Sequence, residues 1–322
     1  MSADGRPSVG RQAAVAADLA ARARQTRVIC LGLSALDQIW RVPEFFSGGS
    51  QKIRSLEYAT MGGGMAATAA VTVARLGGIA AFWGRGGEDA AGREMHKGLS
   101  DQGVDVSQFR LFPDGRSSVS GILVDSSGER QIVNFRGQFP EQADWLPLGE
   151  VGTASAVLAD PRWLAGAVSL FKAARAKAIP TILDADVADA DVFETLLPLT
   201  DHVIFSEPAL SGFAGSADDA ALAGIVRFGC GVAAVTRGAK GVAWLANNVL
   251  LRQPAYAVNA IDTTGAGDVF HGAYALAIGA RLEAADAMSF AAAAAALKCI
   301  RPGGRAGIPS LEDCLAFQRN GQ

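Results

Sequence analysis

The 322-residue sequence has few cysteines, little net charge and no long uninterrupted apolar segment. Its four cysteines form no Cys-x-x-Cys pair and have no histidine at metal-binding spacing, which indicates reduced thiols rather than disulfides or zinc. A formal net charge of −3 gives no basic surplus that would favour nucleic acid or an anionic membrane surface. The Ala-rich stretch 291–296 is too short to cross a bilayer. We therefore expect a cytoplasmic protein that binds neither nucleic acid nor membrane.

With 322 residues, half of them hydrophobic, the chain can bury a large core. We expect one large α/β domain, alone or with a small appendage. No internal repeat or low-complexity linker divides it. Residues 1–25 are rich in Ala and Arg and lack the apolar core of a secretory signal. We expect them to form a poorly ordered tail, with a targeting or assembly arm as the alternative. The folded domain should then span residues 26–322.

Short apolar runs that end in Gly or a polar residue predict buried strands along the chain. They lie at 28–32, 80–82, 156–158, 181–183, 203–205 and 232–235. Helical patterns separate many of them, at 66–76, 166–178 and 218–228. Alternating buried strands and helices predict a parallel sheet with helices on both faces.

Two segments, at about 38–60 and 117–136, carry alternating apolar and polar residues and predict antiparallel strands with one solvated face. We expect a small sheet that projects from the main domain and covers its active edge. Ligands of a parallel α/β sheet bind at the carboxyl ends of the strands, so polar residues at those ends are candidates for one shared cleft. They include Asp37, Asp160, Arg162, Asp184, Asp186, Glu207, Thr236 and Asp262.

The segment Asp-Thr-Thr-Gly-Ala-Gly-Asp at 262–268 is the strongest indication of chemistry. Gly265, Ala266 and Gly267 can direct backbone N–H groups toward one anion, and the helix that follows adds its positive N-terminal end. Asp268 lies where a carboxylate could accept the proton of an attacking hydroxyl. Taken alone, Asp268 would be a simple helix N-terminal charge. The combination predicts phosphoryl transfer.

This heptapeptide resembles the second signature of the ribokinase, or PfkB, family of carbohydrate kinases. Gly62-Gly63-Gly64, followed by 66–70 and 75–77, resembles the first signature, in the right order and spacing. The resemblance covers about 27–316 and implies a ribokinase-like three-layer α/β sandwich with a mainly parallel sheet and a small β-sheet lid. It further implies ATP with Mg²⁺, a sugar hydroxyl as acceptor and a homodimer through the lid. A monovalent cation is a further cofactor to be tested.

The resemblance also assigns roles to matching residues. Asp268 would be the base, and Gly265, Ala266 and Gly267 the anion hole. The sugar would contact Asp37, Gly63, Gly64 and Thr68. The nucleotide would contact Thr236, Gly238, Gly241, Thr264 and Gly303. Two positions depart from the family pattern. Thr68 stands where the family often has Asn. The usual Asn-x-x-Glu near the metal is replaced by Ser-Glu-Pro-Ala at 206–209, which shifts the register of the expected metal ligand, Glu207.

Further segments, among them 158–163 and 296–309, are similar to the branch of this family that phosphorylates the C1 hydroxyl of 6-deoxy-6-sulfofructose in sulfoquinovose breakdown. That similarity implies a sulfonate pocket of Lys52, Asn134 and Arg162, whose side chains are suitable donors for three acceptor oxygens. Individually, Lys52 is explained as a solvated lid charge and Asn134 as a turn or edge residue. The alternatives are a fructose-6-phosphate, 2-keto-3-deoxygluconate or fructose kinase, and a non-catalytic sugar or nucleotide sensor.

Overall fold

The computed structural model describes residues 17–320, so most of the expected N-terminal tail lies outside the described residues. Residues 17–25 are helical, and the short 3₁₀ turn Ala23–Gln25 leads directly into the first strand. Leu19 and Ala23 are fully buried in the core. The packed part of the chain therefore begins before the expected boundary at residue 26.

Within the described residues the chain forms thirteen strands. They are β1 (Arg27–Gly32), β2 (Ala35–Arg41), β3 (Glu57–Gly63), β4 (Ile79–Gly87), β5 (Phe109–Phe112), β6 (Val119–Val124), β7 (Arg130–Phe135), β8 (Ala156–Ala159), β9 (Thr181–Ala185), β10 (His202–Ser206), β11 (Val232–Thr236), β12 (Val242–Ala246) and β13 (Val249–Gln253). Nine of them form one sheet in the order β13-β12-β11-β10-β9-β8-β1-β4-β5. Neighbours are parallel from β11 to β5, and the hairpin β12–β13 adds an antiparallel edge. The expected parallel sheet is confirmed.

Nine α-helices follow β1 in the described range. They are α1 (Met65–Arg75), α2 (Ala90–Asp101), α3 (Leu164–Arg175), α4 (Ala190–Leu196), α5 (Glu207–Ala214), α6 (Asp219–Val226), α7 (Ala266–Gly279), α8 (Ala284–Cys299) and α9 (Leu311–Asn320). None of them is long and apolar enough to span a bilayer. Three of the helices have an N-cap residue whose side chain accepts a backbone N–H of the first turn, namely Asp89, Ser206 and Asp218.

The large sheet separates two apolar cores, which gives the three layers. Alternate residues of β1 face opposite sides: Val28 and Cys30 pack with α1, α2, α7 and α8, whereas Ile29 and Leu31 pack with α3 to α6. All four side chains are fully buried, as the continuous apolar run of β1 predicts for a strand covered on both faces. The expected three-layer α/β arrangement, with helices on both faces of a mainly parallel sheet, is confirmed.

The second sheet is the expected lid, in the order β3-β2-β6-β7. Its outer pairs are antiparallel, but the central pair β2–β6 is parallel, because these strands come from separate segments that leave the main domain in the same direction. Period-two alternation gives the lid two different faces. Asp37, Ser120 and Asn134 point into the cleft described below, whereas Tyr58 and Val133 lie on the other face and are exposed.

Candidate active site

A cleft of about 980 Å³ lies between the carboxyl ends of the central strands and the inner face of the lid. Its walls come from the residues after β1, β8 and β9, from β2, β6 and β7 of the lid, and from the start of α7. Six residues predicted from the sequence line it, namely Asp37, Gly64, Asn134, Arg162, Asp186 and Asp268. The structure therefore brings together residues that are up to 231 positions apart in the chain.

The heptapeptide forms a tight turn that ends at the N-terminus of α7. Gly265 is the residue before the helix and has a left-handed backbone with φ +74°, which favours glycine. Asp262 shapes the turn, since its Oδ1 accepts the backbone N–H of Thr264 at 3.0 Å. A Cβ on Gly265 would lie 3.6 Å from Thr68 Cγ2 and 3.7 Å from Asp268 Oδ2. The turn therefore lies against α1 of the first signature and beside the predicted base.

Asp268 lies in the first turn of α7 and is surrounded by opposing charges. Burial and the nearby carboxylate of Asp184 raise the pKa of Asp268 above its usual range, whereas His271 and Arg305 act in the opposite direction. Asp184 is itself buried, and its Oδ2 has no hydrogen-bond partner in the described structure. A raised pKa brings the protonation of Asp268 closer to neutral pH, as a general base requires.

His271 lies one helical turn after Gly267 in α7. Its Nδ1 is 2.8 Å from the Gly267 carbonyl oxygen, and its Nε2 is 3.2 Å from the Ile204 carbonyl oxygen and 3.4 Å from Asp184 Oδ1. The ring is 4% exposed. His271 is therefore a packed residue beneath the turn that contacts Gly267 and links α7 to β10.

Asp37 and the glycines of the first signature meet where β2 and β3 adjoin the main domain. An added Cβ on Gly63 would lie 2.3 Å from Asp37 Oδ2, so Asp37 rests directly on the glycine backbone. Gly64 has φ +94°, and a Cβ there would lie 2.4 Å from the Leu33 carbonyl oxygen. Burial raises the pKa of Asp37, whereas a hydrogen bond with Ser120 and the charge of Arg305 lower it.

Arg305 also belongs to the site, although the sequence assigned it no role there. It follows α8 and reaches back to α1: its Nε donates to Thr68 Oγ1 at 3.1 Å, and its guanidinium also donates to the Gly63 carbonyl oxygen. Burial lowers the pKa of Arg305 to about 10, and the charges of Asp268 and Asp37 act in the opposite direction. Arg305 thus lies between Asp268, the predicted base, and Asp37, whose carboxylate is predicted to bind the sugar. It also contacts Thr68, the position where the family often has Asn.

The three residues expected to bind a sulfonate are not equally placed. Arg162 lines the cleft, but its guanidinium donates to Asp186 at 3.0 Å and to the Val187 carbonyl oxygen at 2.6 Å. Asn134 also lines the cleft, and its amide donates to Ser120 Oγ at 3.2 Å. Lys52 is exposed on the loop between β2 and β3 and does not line the cleft.

A further arginine in the cleft was missed by sequence reasoning. Arg136 follows β7, lines the same cleft and forms no ion pair with any of residues 17–320. Its only sequence signal was its position two residues after Asn134, on the same side of the strand.

Of the residues expected at the nucleotide, Thr236, Gly238 and Gly241 lie at the end of β11 and in the turn to β12, whereas Thr264 and Gly303 lie beside the start of α7 and after α8. Thr236 ends β11 and faces Ser206 across the β10–β11 pair. Gly238 and Gly241 shape the turn to β12, and a Cβ on Gly241 would lie 2.1 Å from the Gln253 carbonyl oxygen. The backbone N–H of Gly303 donates to Asp262 Oδ2 at 3.0 Å, so the segment after α8 lies against the heptapeptide.

The structure offers carboxylates for Mg²⁺ but no preformed cage. Residues 17–320 contain no group of three or more metal-binding side chains. Glu207 begins α5 and is partly exposed, with Lys240 Nζ 4.0 Å from its carboxylate. Because Mg²⁺ usually binds one or two carboxylates together with substrate phosphates, this donor set fits a cation delivered with a nucleotide.

Known proteins are similar to this chain along most of its length. Residues 25–311 match the pfkB family carbohydrate kinase model. The ribokinase of Haemophilus influenzae is 26% identical over 297 residues, which cover 89% of this chain and 96% of that protein. A fructokinase of Klebsiella pneumoniae is 34% identical over 228 residues, which cover 65% of this chain and 74% of that protein.

Solved structures agree with these relatives. Arabidopsis thaliana ribokinase, solved with ribose and ATP, has a TM-score of 0.82 at 26% identity, covering 91% of this chain and 98% of that one. A candidate ribokinase from Agrobacterium tumefaciens has a TM-score of 0.86 at 35% identity, covering 91% and 97%. Fold, cleft and relatives together define an ATP-dependent carbohydrate kinase. The chain belongs to the pfkB, or ribokinase-like, family of these enzymes.

Proposed function

We propose that this kinase transfers the γ-phosphoryl group of ATP to the C1 hydroxyl of 6-deoxy-6-sulfofructose. The observation that carries the proposal is a single cleft that holds a carboxylate of raised pKa, Asp268, together with Asp37 and the arginines Arg136 and Arg162. An enzyme for a neutral sugar has no need of two arginines in its sugar cleft.

The proposed chemistry uses Asp268 as the base. The acceptor hydroxyl gives its proton to Asp268 as its oxygen bonds to the γ-phosphorus, and the bond from that phosphorus to the departing ADP oxygen breaks. Backbone N–H groups of Gly265, Ala266 and Gly267, together with the N-terminal end of α7, stabilise the charge on the transferred group. Glu207 would hold Mg²⁺, which supplies charge neutralisation at the nucleotide phosphates.

Arg162 is the main support for an anionic sugar. A sulfonate offers three acceptor oxygens, and a planar guanidinium can bind two of them at once. The Arg162 guanidinium donates to Asp186 in the structure. To bind a sulfonate, it must either leave Asp186 or donate to both groups. Arg136 supplies a second charge from the lid side, and Asn134 an uncharged donor. Lys52 would join them only if its loop moved over the cleft.

The second candidate acceptor is a neutral sugar. The names of the relatives, ribokinase and fructokinase, favour ribose or fructose. Fructose 6-phosphate and 2-keto-3-deoxygluconate are also acceptors to be tested, because phosphate and carboxylate can occupy a cationic pocket as well.

A parallel assay of ATP consumption separates these candidates. We expect the highest kcat/KM with 6-deoxy-6-sulfofructose, compared with fructose 6-phosphate, 2-keto-3-deoxygluconate, fructose and ribose. A higher kcat/KM with any of the other sugars would refute the sulfofructose proposal while leaving the kinase class intact.

We also propose a homodimer through the outer face of the lid. Tyr58 is 55% exposed and Val133 75% exposed, and both lie on the face opposite the cleft. The edge strands β3 and β7 leave unpaired backbone groups that a second copy can cover. Light scattering should give the mass of two chains for the wild type and of one chain for Val133→Lys. A monomeric wild type would refute the dimer.

A further inference from the structure

Lys298, in the last turn of α8, is the one fully buried lysine among residues 17–320. Its Nζ is 3.0 Å from the Arg301 carbonyl oxygen, 3.1 Å from the Asp262 carbonyl oxygen and 3.4 Å from Asp262 Oδ2. An ammonium group has three donors and no acceptor, so three oxygens around it satisfy it completely. The side chain has no donor left for a substrate.

These oxygens belong to the two segments that meet at the phosphate-binding turn. Asp262 begins the heptapeptide, and Arg301 begins the segment that contains Gly303. The backbone N–H groups of Ile261 and Asp262 donate to the carbonyl oxygen of Cys299 at 2.8 and 3.0 Å, which brings the turn to the end of α8. The Lys298 charge therefore lies where both segments and the C-terminal end of a helix converge.

The Asp262 carboxylate links this charge to the turn. Burial would raise the pKa of Asp262, but hydrogen bonds from Thr264, the charge of Lys298 and the backbone N–H of Gly304 lower it below its usual range. Its Oδ1 accepts the Thr264 N–H, while its Oδ2 faces Lys298 and the Gly303 N–H. A positive charge at Nζ thus fixes the carboxylate that shapes the start of the Gly265–Gly267 turn.

Two backbone carbonyls and a carboxylate are also the kind of oxygen shell that replaces the hydration of a monovalent cation. We propose that Lys298 is a tethered monovalent cation, which holds the anion-hole turn in place so that the enzyme needs no free K⁺ or Na⁺. Lys298 is in this view a positioning residue. The inference rests on the anion-hole role proposed above for Gly265–Gly267.

The first test needs no variant. Wild-type kcat is measured at constant ionic strength in K⁺, Na⁺, NH₄⁺ or tetramethylammonium chloride, with ADP quantified directly so that no coupling enzyme's cation requirement enters. We expect the four rates to agree within about twofold, because the site is already filled. Activation by K⁺ of about tenfold or more over tetramethylammonium would overturn the proposal.

The second test empties the site. Lys298→Ala should lower kcat about 10- to 100-fold, as loss of a supporting residue commonly does, and NH₄⁺ or K⁺ should restore part of the rate. Lys298→Met removes the charge but fills most of the space, so added cations should not restore it. Lys97→Ala, at an exposed lysine of α2, is the control and should show wild-type rates in every salt.

Unfolding temperatures supply a readout independent of turnover. NH₄⁺ should raise the unfolding temperature of Lys298→Ala relative to tetramethylammonium, and should leave Lys298→Met unchanged. A folded Lys298→Ala that gains neither rate nor stability from NH₄⁺ or K⁺ would overturn the proposal. If both variants fail to fold, the wild-type comparison still decides. Failure of the sulfofructose proposal appears separately, as preference for another sugar, and the cation series is then run with that sugar.

Discussion

Gly63→Ala would test the sugar site with a single methyl group. An added Cβ at Gly63 would lie 2.3 Å from Asp37 Oδ2 and 2.9 Å from its Cγ, well inside van der Waals contact. The backbone of Gly63 is not left-handed, so alanine fits its conformation. The strain therefore falls on the side chain of Asp37, which can rotate away, and we expect the fold to be kept.

The size of the effect follows from what Asp37 is proposed to do. If its carboxylate accepts hydrogen bonds from the sugar, displacing it removes a charged hydrogen bond worth about 1.5–3 kcal/mol. That loss corresponds to about 10- to 150-fold in kcat/KM for the sugar, since each 1.4 kcal/mol is about tenfold. The KM for ATP should stay near its wild-type value, because the proposed nucleotide residues lie in other segments of the chain, near β11 and around the start of α7.

Steady-state kinetics with each substrate varied in turn measures this split. Gly98→Ala is the matched control: Gly98 is exposed in α2, and an added Cβ meets no atom within 4 Å. It should leave both KM values unchanged and raise helix stability slightly. A Gly63→Ala enzyme with a wild-type KM for the sugar would remove Asp37 from the sugar site. An equal rise in both KM values would instead mean that the substitution distorts the whole cleft.

Three further predictions concern charged residues in or beside the cleft. Asp268→Asn should reduce kcat by at least about 10³-fold while ATP still binds by calorimetry, and wild-type turnover would exclude Asp268 as the base. Arg305→Met should move the acid limb of the kcat–pH profile to higher pH, because Arg305 lowers the pKa of Asp268 and its loss leaves the carboxylate easier to protonate. Arg305→Lys keeps the charge and should keep the acid limb near its wild-type position. An unmoved acid limb in Arg305→Met would refute this coupling. Arg162→Ala should raise the KM for an anionic sugar by about 30-fold or more, as loss of a buried charged contact costs roughly 2–5 kcal/mol. Its KM for ATP should not change, and an unchanged KM for sulfofructose would refute the sulfonate pocket.

The sequence predicted the parts of the fold whose signals are local. Strands such as β1 and β10 are continuous apolar runs, because both of their faces are covered, and such runs are visible without knowledge of their neighbours. The parallel pairing of β2 with β6 was not predictable in this way. It depends on how two segments leave the main domain, and antiparallel and parallel strands with one wet face have the same alternation.

The same distinction applies to the site. The turn at 262–268 was recognisable because its chemistry is contained in seven consecutive residues. Arg305 was not, since its contact with Thr68 spans 237 positions and neither residue alone indicates a cleft. The buried state of Lys298 was equally invisible, because the helical pattern that precedes it is almost entirely alanine and does not define a polar face.

The lid connects the two halves of the proposed reaction. Its inner face carries Asp37 on β2 and Asn134 on β7, where we place the sugar. The start of β7 reaches the phosphate-binding turn, since Arg130 forms an ion pair with Asp262 at 3.1 Å and also donates to Thr264. The lid strand that lines the proposed sugar site therefore also contacts the turn that would hold the transferred group. Because a ligand shifts an equilibrium only by its differential affinity for the two states, a sugar that binds the closed lid more tightly also favours the ordered turn. We expect a sugar that orders the lid also to stabilise the turn at 262–268 through Arg130, which would favour transfer to the sugar hydroxyl over transfer to water.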